Sequence, residues 1–365
     1  MGLTRRELNR ATLARQFLLA RSDMPVLAAV EHLVGMQAQV PHNPYTGLWS
    51  RLADFDPTEL SQLLVDREVV RIVVMRGTLH LVTADDCLVL RPLAQPVLDR
   101  ELERHSEYGP LLRDVDLDPV MAFAGPLVGE RPHTGPELRK ALAARFPQHS
   151  AAALAYACRN KLAFVQVPPR GEWGRTAQVR STTAEAWLGR PVVPTPSIDD
   201  AVVRYFAAFG PATVADVAAW SRLTGLREIV ERVGQRLRPF RDEDGRNLFD
   251  VPDGPRPDPD TPAPVRFLPE YDNVLLSHAD RSRFIGDRAI TASGPVRGTV
   301  MHDGTVAGTW RTEPAGSRRR VALVVDHAAG LTGRARGAIG DEGLRLLRFL
   351  EPNADDHDVR LVNAD

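Results

Sequence analysis

The sequence is poor in lysine, in cysteine and in long apolar runs. Only two of its 46 basic residues are lysines, Lys140 and Lys161, and Cys87 and Cys158 are the only cysteines. Neither cysteine belongs to a CxxC pair or a Cys/His cluster, so we predict no metal site. No run of 18 apolar residues occurs, so we expect no membrane span. The N-terminus has no apolar signal core, and isolated cysteines suit a reducing compartment, so we expect a cytoplasmic protein.

Several enzyme signatures are missing as well. There is no glycine-rich phosphate loop followed by Lys-Ser/Thr, which argues against nucleotide hydrolysis, and no GxSxG, which argues against serine acyl hydrolysis. No cofactor is predicted. The net charge of −1 does not identify a partner. The excess of arginine over lysine has two explanations, which are phosphate recognition by the guanidinium fork and a GC-rich genome.

What the chain does contain is a repeated order of elements. Helical periodicity followed by two β-rich segments occurs three times, which is the order of a winged-helix unit. Six prolines in residues 252–264 then indicate a linker, and a β-rich tail follows it. We therefore predict an α+β fold of three tandem winged-helix units and a C-terminal β-rich, barrel-like region. The predicted domains are 1–115, 116–195, 196–262 (third unit with linker) and 263–365.

Two glutamines stand near the end of a predicted helix over residues 26–38. Gln37 and Gln39 would point about 200° apart on a continuous helix, but Val40 precedes a proline, which disfavours helical backbone there. We expect the helix to end between or just after them, so that both amides turn toward one site. An amide orients a water molecule but is a poor proton acceptor. The alternative is a polar helix end in solvent.

Four segments resemble the AlkZ/YcaQ family of bacterial winged-helix DNA glycosylases, in the family's order and across nearly the whole chain. They are Gly35–Gln39, Met75–Val82, Leu268–Ser277 and Gly304–Arg311. The family's catalytic motif is Gln-aliphatic-Gln in the AlkZ-like branch and Gln-x-Asp in the YcaQ-like branch. It maps onto Gln37 and Gln39, which indicates the AlkZ-like branch and leaves no carboxylate base at that position.

The resemblance implies excision of N7-alkylated guanine from duplex DNA, including bulky adducts and interstrand crosslinks, and a role in antibiotic self-resistance. Alkylation at N7 makes the base cationic, so it leaves as a neutral molecule without acid catalysis. Gln37 and Gln39 would then position water and stabilise the oxocarbenium-like sugar. No lysine lies nearby to form a Schiff base, so we expect a glycosylase without lyase activity.

A basic hairpin, residues 162–181, is the predicted DNA contact. Six basic and two acidic residues lie between Arg159 and Arg190, and Trp173 with two glycines stands at the hairpin's tip. Such a wing enters a DNA groove, with arginines on phosphates; the alternative is a solvated hairpin with Trp173 packed inward. The predicted DNA-binding residues are Arg159, Lys161, Arg170, Trp173, Arg175, Arg180, Arg318, Arg319 and Arg320.

Other polar residues favour structural roles. His80 lies in an apolar predicted strand and is either a proton shuttle or a hydrogen-bonded structural histidine. Asp85 and Asp86 follow Thr83 as in the first turn of a helix. Tyr271, Asp272 and Asn273 are predicted to form a turn or to hold the β-rich region against the site.

Two further functions compete with a glycosylase. The first is a non-catalytic winged-helix regulator, since winged helices often bind DNA and fold alone does not decide function. Regulators usually dimerise, however, and no dimerisation helix is apparent, so we expect a monomer. The second is a protein that sequesters a genotoxic small molecule, which would require a pocket.

Overall fold

The structure, a computed structural model, describes residues 2–285, 297–314, 320–327 and 330–363. These residues form helices and strands in mixed order. The helices are α1 (Arg5–Arg15), α2 (Val26–His32), α3 (Asn43–Arg51), α4 (Pro57–Val65), α5 (Ala84–Leu93), α6 (Gln95–Arg104), α7 (Gly109–Leu112), α8 (Asp118–Glu130), α9 (Gly135–Arg145), α10 (Ala151–Lys161), α11 (Ala184–Leu188), α12 (Ile198–Phe209), α13 (Val214–Ser221), α14 (Leu226–Arg232), α15 (Asn273–Leu276) and α16 (Gly333–Leu350). Short 3₁₀ helices span Met75–Gly77 and Gly234–Arg236.

The strands make three sheets. They are β1 (Met36–Gln37), β2 (Val69–Val73), β3 (Leu79–Thr83), β4 (His133–Thr134), β5 (Phe164–Gln166), β6 (Arg180–Thr183), β7 (Arg238–Arg241), β8 (Asn247–Asp250), β9 (Arg266–Leu268), β10 (Gly298–His302), β11 (Thr305–Pro314), β12 (Arg320–His327) and β13 (Asp356–Asn363). The sheet orders are β1-β3-β2-β5-β6-β4, β7-β8 and β13-β12-β11-β10-β9.

The first two predicted units share one sheet. Strand β2 pairs antiparallel with β5, with Arg71 opposite Gln166 and Ile72 opposite Val165. The predicted boundary at residues 115–116 therefore separates two halves of a single six-stranded sheet. A long-range strand pairing of this kind has no local sequence signal. The strands of the third predicted unit, β7 and β8, form a two-stranded sheet of their own.

The six-stranded sheet has two different faces. The core face carries Gln37, His80, Ile72 and Val165, which follow one another across paired strands. Its apolar members pack with α5 and with α12 to α14 in one buried cluster. The opposite face, which we call the cleft face, carries Leu81, Arg71 and Gln166 in register, because successive residues of a strand alternate sides.

The segment before the glutamines is not the predicted helix. Helix α2 ends at His32, and Val34 and Gly35 take left-handed backbone conformations, with φ of 53° and 86°. A side chain at Gly35 would meet the side chain of Val82 at 2.7 Å, so glycine is required for this close turn. The turn sends Met36 and Gln37 into strand β1, where Gln37 lies opposite His80. Gln37 is therefore a strand residue.

The C-terminal region departs from the predicted barrel. Its described strands form an open five-stranded sheet in which β12 and β13 are parallel, and α16 packs on one side. The sequence predicts a helix near residues 341–350 that closes the β-rich tail. In the structure this helix, α16, begins eight residues earlier, where the Thr332 side chain accepts from the Ala335 backbone. The crossover through α16 is what allows parallel pairing of the last two strands.

The proline-rich segment, residues 252–264, is a loop held by arginines of α1. Arg6 donates to the Pro259 carbonyl at 2.8 Å, and Arg10 donates to the Thr261 carbonyl at 2.7 Å. Arg15 forms a fully buried ion pair with Asp250 of β8. Helix α1 thus fixes the loop against the third unit.

A second buried ion pair joins α3 to the C-terminal region. The guanidinium of Arg51 donates to both carboxylate oxygens of Asp272, at 2.7 and 2.9 Å, and neither side chain is more than 2% exposed. Asp272 also accepts from the Val274 backbone and so caps α15. The next residue, Asn273, donates to the Gly35 carbonyl at 2.6 Å. Asp272 and Asn273 together therefore hold the C-terminal region against α3 and against the turn that precedes Gln37.

We expect Asp272→Asn to lower the free energy of unfolding by about 3–5 kcal/mol, because it leaves the Arg51 charge buried and unpaired. Urea unfolding followed by circular dichroism measures this. Asp200→Asn is the control, since Asp200 pairs with Arg236 at the exposed surface and its loss should cost less than about 1 kcal/mol. Equal losses in the two variants would contradict the structural role of Asp272.

Candidate functional site

Gln39 lines a cleft of about 480 Å³ on the cleft face of the six-stranded sheet. The floor comes from β2, β3, β5 and β6, and the walls come from α8, α9 and α10. We call this space the Gln39 cleft. Its polar and aromatic lining residues are Gln39, Arg71, Tyr108, His133, Thr134, Arg139, Tyr156, Arg159, Phe164, Gln166, Arg170 and Ser181.

The Gln39 cleft is lined by cations and by no acid. Four arginines contribute to its walls and floor, and no aspartate or glutamate is among its lining residues in the described parts of the chain. Arg159 and Arg170 were predicted as DNA contacts, whereas Arg71 and Arg139 were not. Arg71 lies within a run of β-forming residues, and only the sheet register shows which way it points. The cleft therefore suits an anionic ligand with aromatic or polar parts.

Gln37 does not line the Gln39 cleft. Its side chain is 7% exposed and lies on the core face, where its Oε1 atom accepts a hydrogen bond from Arg76 at 2.8 Å. Arg76 also donates to the Trp220 carbonyl and adopts a left-handed backbone conformation, with φ of 58°. The cavity beside Gln37 measures only about 10 Å³. The expected convergence of both amides on one site is thus absent from this conformation.

His80 is a hydrogen-bonded structural histidine. It is fully buried, its Nδ1 atom lies 2.9 Å from the Thr78 carbonyl, and its Nε2 atom lies 3.2 Å from Arg76. A carbonyl only accepts and a guanidinium only donates, so the ring is neutral with its proton on Nδ1. Burial and the adjacent Arg76 lower the pKa of His80 to about 3. A proton shuttle near neutral pH is not available from this ring.

The tip of the predicted wing is folded back onto the protein. Trp173 contacts the rings of Tyr45, His42 and Phe349, with centroids 4.9 to 5.8 Å apart, and its backbone donates to Ser61. The sequence predicts the second strand of the hairpin over residues 176–181, but the strand spans Arg180–Thr183. Trp173 therefore packs inward in this structure, which is the alternative to its entering a groove.

The remaining predicted DNA contacts are dispersed. Lys161, Arg175, Arg180 and Arg320 each pair with an acidic residue: Asp99, Glu172, Glu137 and Asp356, respectively. None of these four lines the Gln39 cleft. Arg318 and Arg319 lie outside the described residues.

The acidic residues near Thr83 and the turn residue Tyr271 have structural positions. The Thr83 side chain caps α5 by accepting from the Asp86 backbone, and Asp86 pairs with Arg204. Asp85 pairs with Arg190 at the surface. Tyr271 sits at φ 61°, in the turn that leads into Asp272. These positions agree with the structural interpretations of all three residues.

Comparison with known proteins assigns the chain to a family. The model of the family "DNA glycosylase AlkZ-like" matches residues 30–349. The chain belongs to the AlkZ-like DNA glycosylases. Its structure is also similar to that of Streptomyces sahachiroi DNA glycosylase AlkZ, with a TM-score of 0.75, 20% sequence identity, and coverage of 99% of this chain and 100% of that one. No curated protein sequence matches the chain.

Membership in the AlkZ-like family makes this protein a DNA glycosylase. The matched region contains the Gln37–Gln39 segment, all four arginines of the Gln39 cleft and the Asp272–Asn273 clamp. No helix in the described parts of this AlkZ-like glycosylase is long and apolar enough to cross a membrane.

We expect the free energy of unfolding of this AlkZ-like glycosylase to fall as the pH drops from 7 to 5, in part because of His80. The folded pKa of His80 is about 3 and its unfolded value is 6.5, so below pH 6.5 protons bind the unfolded chain in preference. At pH 5 this costs about 2 kcal/mol. Urea unfolding at both pH values measures this. Between pH 7 and 5 the free energy of unfolding of His80→Gln should fall by about 2 kcal/mol less than that of wild type. An identical pH dependence would contradict the neutral buried state.

Proposed function

We propose that this glycosylase excises guanine alkylated at N7 from duplex DNA, with its reaction in the Gln39 cleft. The observation that carries the proposal is the cleft's lining, which combines a glutamine with arginines and has no carboxylate among the described residues. Without a carboxylate acid or base, the enzyme depends on a base that is already activated for departure. An N7-alkylated guanine is cationic and meets that requirement.

The proposed reaction is hydrolysis of the N9–C1′ bond. The electron pair of that bond moves to the base and cancels its positive charge, so neutral alkylguanine leaves. The oxygen of a water molecule bonds to C1′, and its extra proton passes to solvent. The sugar is oxocarbenium-like in between, so a correctly placed water and a nearby amide oxygen lower the barrier.

The two glutamines have different parts in this proposal. Gln39 is exposed at the cleft and is the residue that orients water at C1′. Gln37 is held by Arg76 and lies two residues earlier, on the core face of the sheet. In this conformation Gln37 holds β1 in place and so positions Gln39. Gln37 itself reaches the sugar only if bound DNA breaks its hydrogen bond to Arg76. Both are therefore required, for different reasons.

The proposed substrates include bulky N7 adducts and interstrand crosslinks, as the family resemblance implies. The cleft is open to solvent on the side of Arg139 and Arg159, both of which are exposed, so an adduct that projects from the base meets solvent. We propose duplex DNA as the partner and a monomer as the acting form.

We expect wild-type protein to release 7-methylguanine from a duplex that carries a single such base, and Gln39→Ala to lower the single-turnover rate about a hundredfold or more. Gln37→Ala should also lower the rate. High-performance liquid chromatography of the released base measures this. Gln62→Ala is the matched control, since Gln62 is exposed on α4 and its side chain hydrogen-bonds, among the described residues, only to Asp66.

A duplex that carries uracil tests the dependence on a charged leaving group. Uracil is neutral at its glycosidic nitrogen, so we expect no release. Release of uracil at a rate similar to that of 7-methylguanine would contradict the chemistry proposed here. Failure to release either 7-methylguanine or a bulky N7 adduct would contradict the substrate class.

A further inference from the structure

Arg71 is a buried cation that has no carboxylate partner in the described parts of the chain. It lies in the middle of β2 and is 1% exposed. One terminal nitrogen donates to the Ala38 carbonyl at 2.9 Å. The Nε atom and the other terminal nitrogen make no hydrogen bond within the described residues. An unsatisfied buried guanidinium is costly, so its position beneath a cleft requires an explanation.

The surroundings of Arg71 are polar but not acidic. Gln166 lies directly across from it in the sheet, and the side-chain oxygen of Gln166 is also without a partner in the described residues. Burial, together with the charge of nearby Arg170, lowers the pKa of Arg71 to about 10. Two guanidinium groups that face one cleft repel each other unless an anion lies between them.

The loop after β5 covers Arg71 from one side. Gly171 adopts φ of 104°, and a side chain there would meet the Cδ atom of Arg71 at 3.0 Å. The Gly171 carbonyl accepts from the Tyr45 hydroxyl at 2.7 Å, which holds the loop in place. Arg71 is thereby shielded from bulk solvent while it remains part of the cleft floor. A shielded cation binds an anion more strongly than an exposed one.

We propose that Arg71 and Arg170 form an oxyanion site at the floor of the Gln39 cleft that binds a phosphodiester of the DNA strand. This rests on the proposed function, since it places the substrate strand in the same cleft. Arg71 also holds the Ala38 carbonyl, one residue before Gln39. A phosphate bound there fixes the strand relative to the residue that orients water, so Arg71 acts as a strand-binding and positioning residue.

The test is the salt dependence of binding to an undamaged duplex, measured by fluorescence anisotropy. Each phosphate contact contributes about 0.9 to the slope of log affinity against log salt concentration. We expect Arg71→Met to reduce the magnitude of the slope by about one and to weaken binding roughly tenfold at moderate salt. Arg266→Met is the matched control, because Arg266 is also buried but lies on β9, outside the cleft. It should leave the slope unchanged.

Arg170→Met provides an independent variant, because Arg170 is only partly buried at the cleft and tolerates substitution better than a residue inside β2. It too should reduce the slope by about one. Folded Arg71→Met with wild-type slope and affinity would overturn the proposal. If Arg71→Met does not fold, a wild-type slope in Arg170→Met would overturn it.

Inorganic phosphate distinguishes a strand phosphate from a free anion. Suppose that phosphate raises the melting temperature of wild type but not of Arg71→Met and Arg170→Met, while both variants keep the wild-type salt dependence of DNA binding. The site then binds free phosphate and the proposal is wrong. Because undamaged DNA is used, the outcome is separate from catalysis. Loss of slope without any base release would support the phosphate site and contradict the proposed function.

Discussion

The ion pair between Arg51 and Asp272 is the contact on which the position of the candidate site depends. It joins residues 221 apart in the sequence, and both side chains are buried. Removing either one leaves the other as an unpaired buried charge, which destabilises the fold. Asp272 fixes the start of α15, which places Asn273 against the Gly35 carbonyl. Gly35 in turn immediately precedes β1. A contact in the C-terminal region therefore sets where Gln37 and Gln39 stand.

The six-stranded sheet separates a buried hydrogen-bond network from the cleft in which we propose the reaction. Its core face buries Gln37 and His80 against the third unit, where Arg76 links both to the Trp220 carbonyl. Its cleft face carries Arg71 under an open space. Ala38 lies between the two glutamines, and its carbonyl is bonded to Arg71. The backbone at Ala38 therefore connects the buried network to the cleft, and in the proposed mechanism this connection is how both glutamines act on one reaction.

Local signals in the sequence predicted many elements but not their assembly. The capping-box pattern Thr134–Glu137 and the apolar pattern of residues 198–209 are local signals that predict helices, and the structure has α9 and α12 there. Pro41 and Pro44 predict the end of the preceding helix, but Pro44 occupies the first turn of α3, where proline is tolerated. The pairing of β2 with β5, the inward packing of Trp173 and the direction of Arg71 depend on contacts between distant residues. The family motif identified Gln37 and Gln39 as a pair. Only the fold shows that Gln37 is buried on the core face while Gln39 lines the cleft.

The buried arginines differ in whether a carboxylate neutralises them, and at Arg71 this difference bears on the proposed reaction. Arg15 and Arg51 each have a buried carboxylate, so their charges are neutralised within the protein. Arg71 has none among the described residues and lines the Gln39 cleft. An unneutralised positive charge opposes the oxocarbenium-like sugar of the proposed reaction, since like charges repel. A DNA strand supplies phosphates that cancel this repulsion only when it is bound. Under the proposed function, the charge of Arg71 would therefore hinder catalysis on a free nucleoside, which brings no phosphate strand. The same charge would favour a polyanionic DNA substrate.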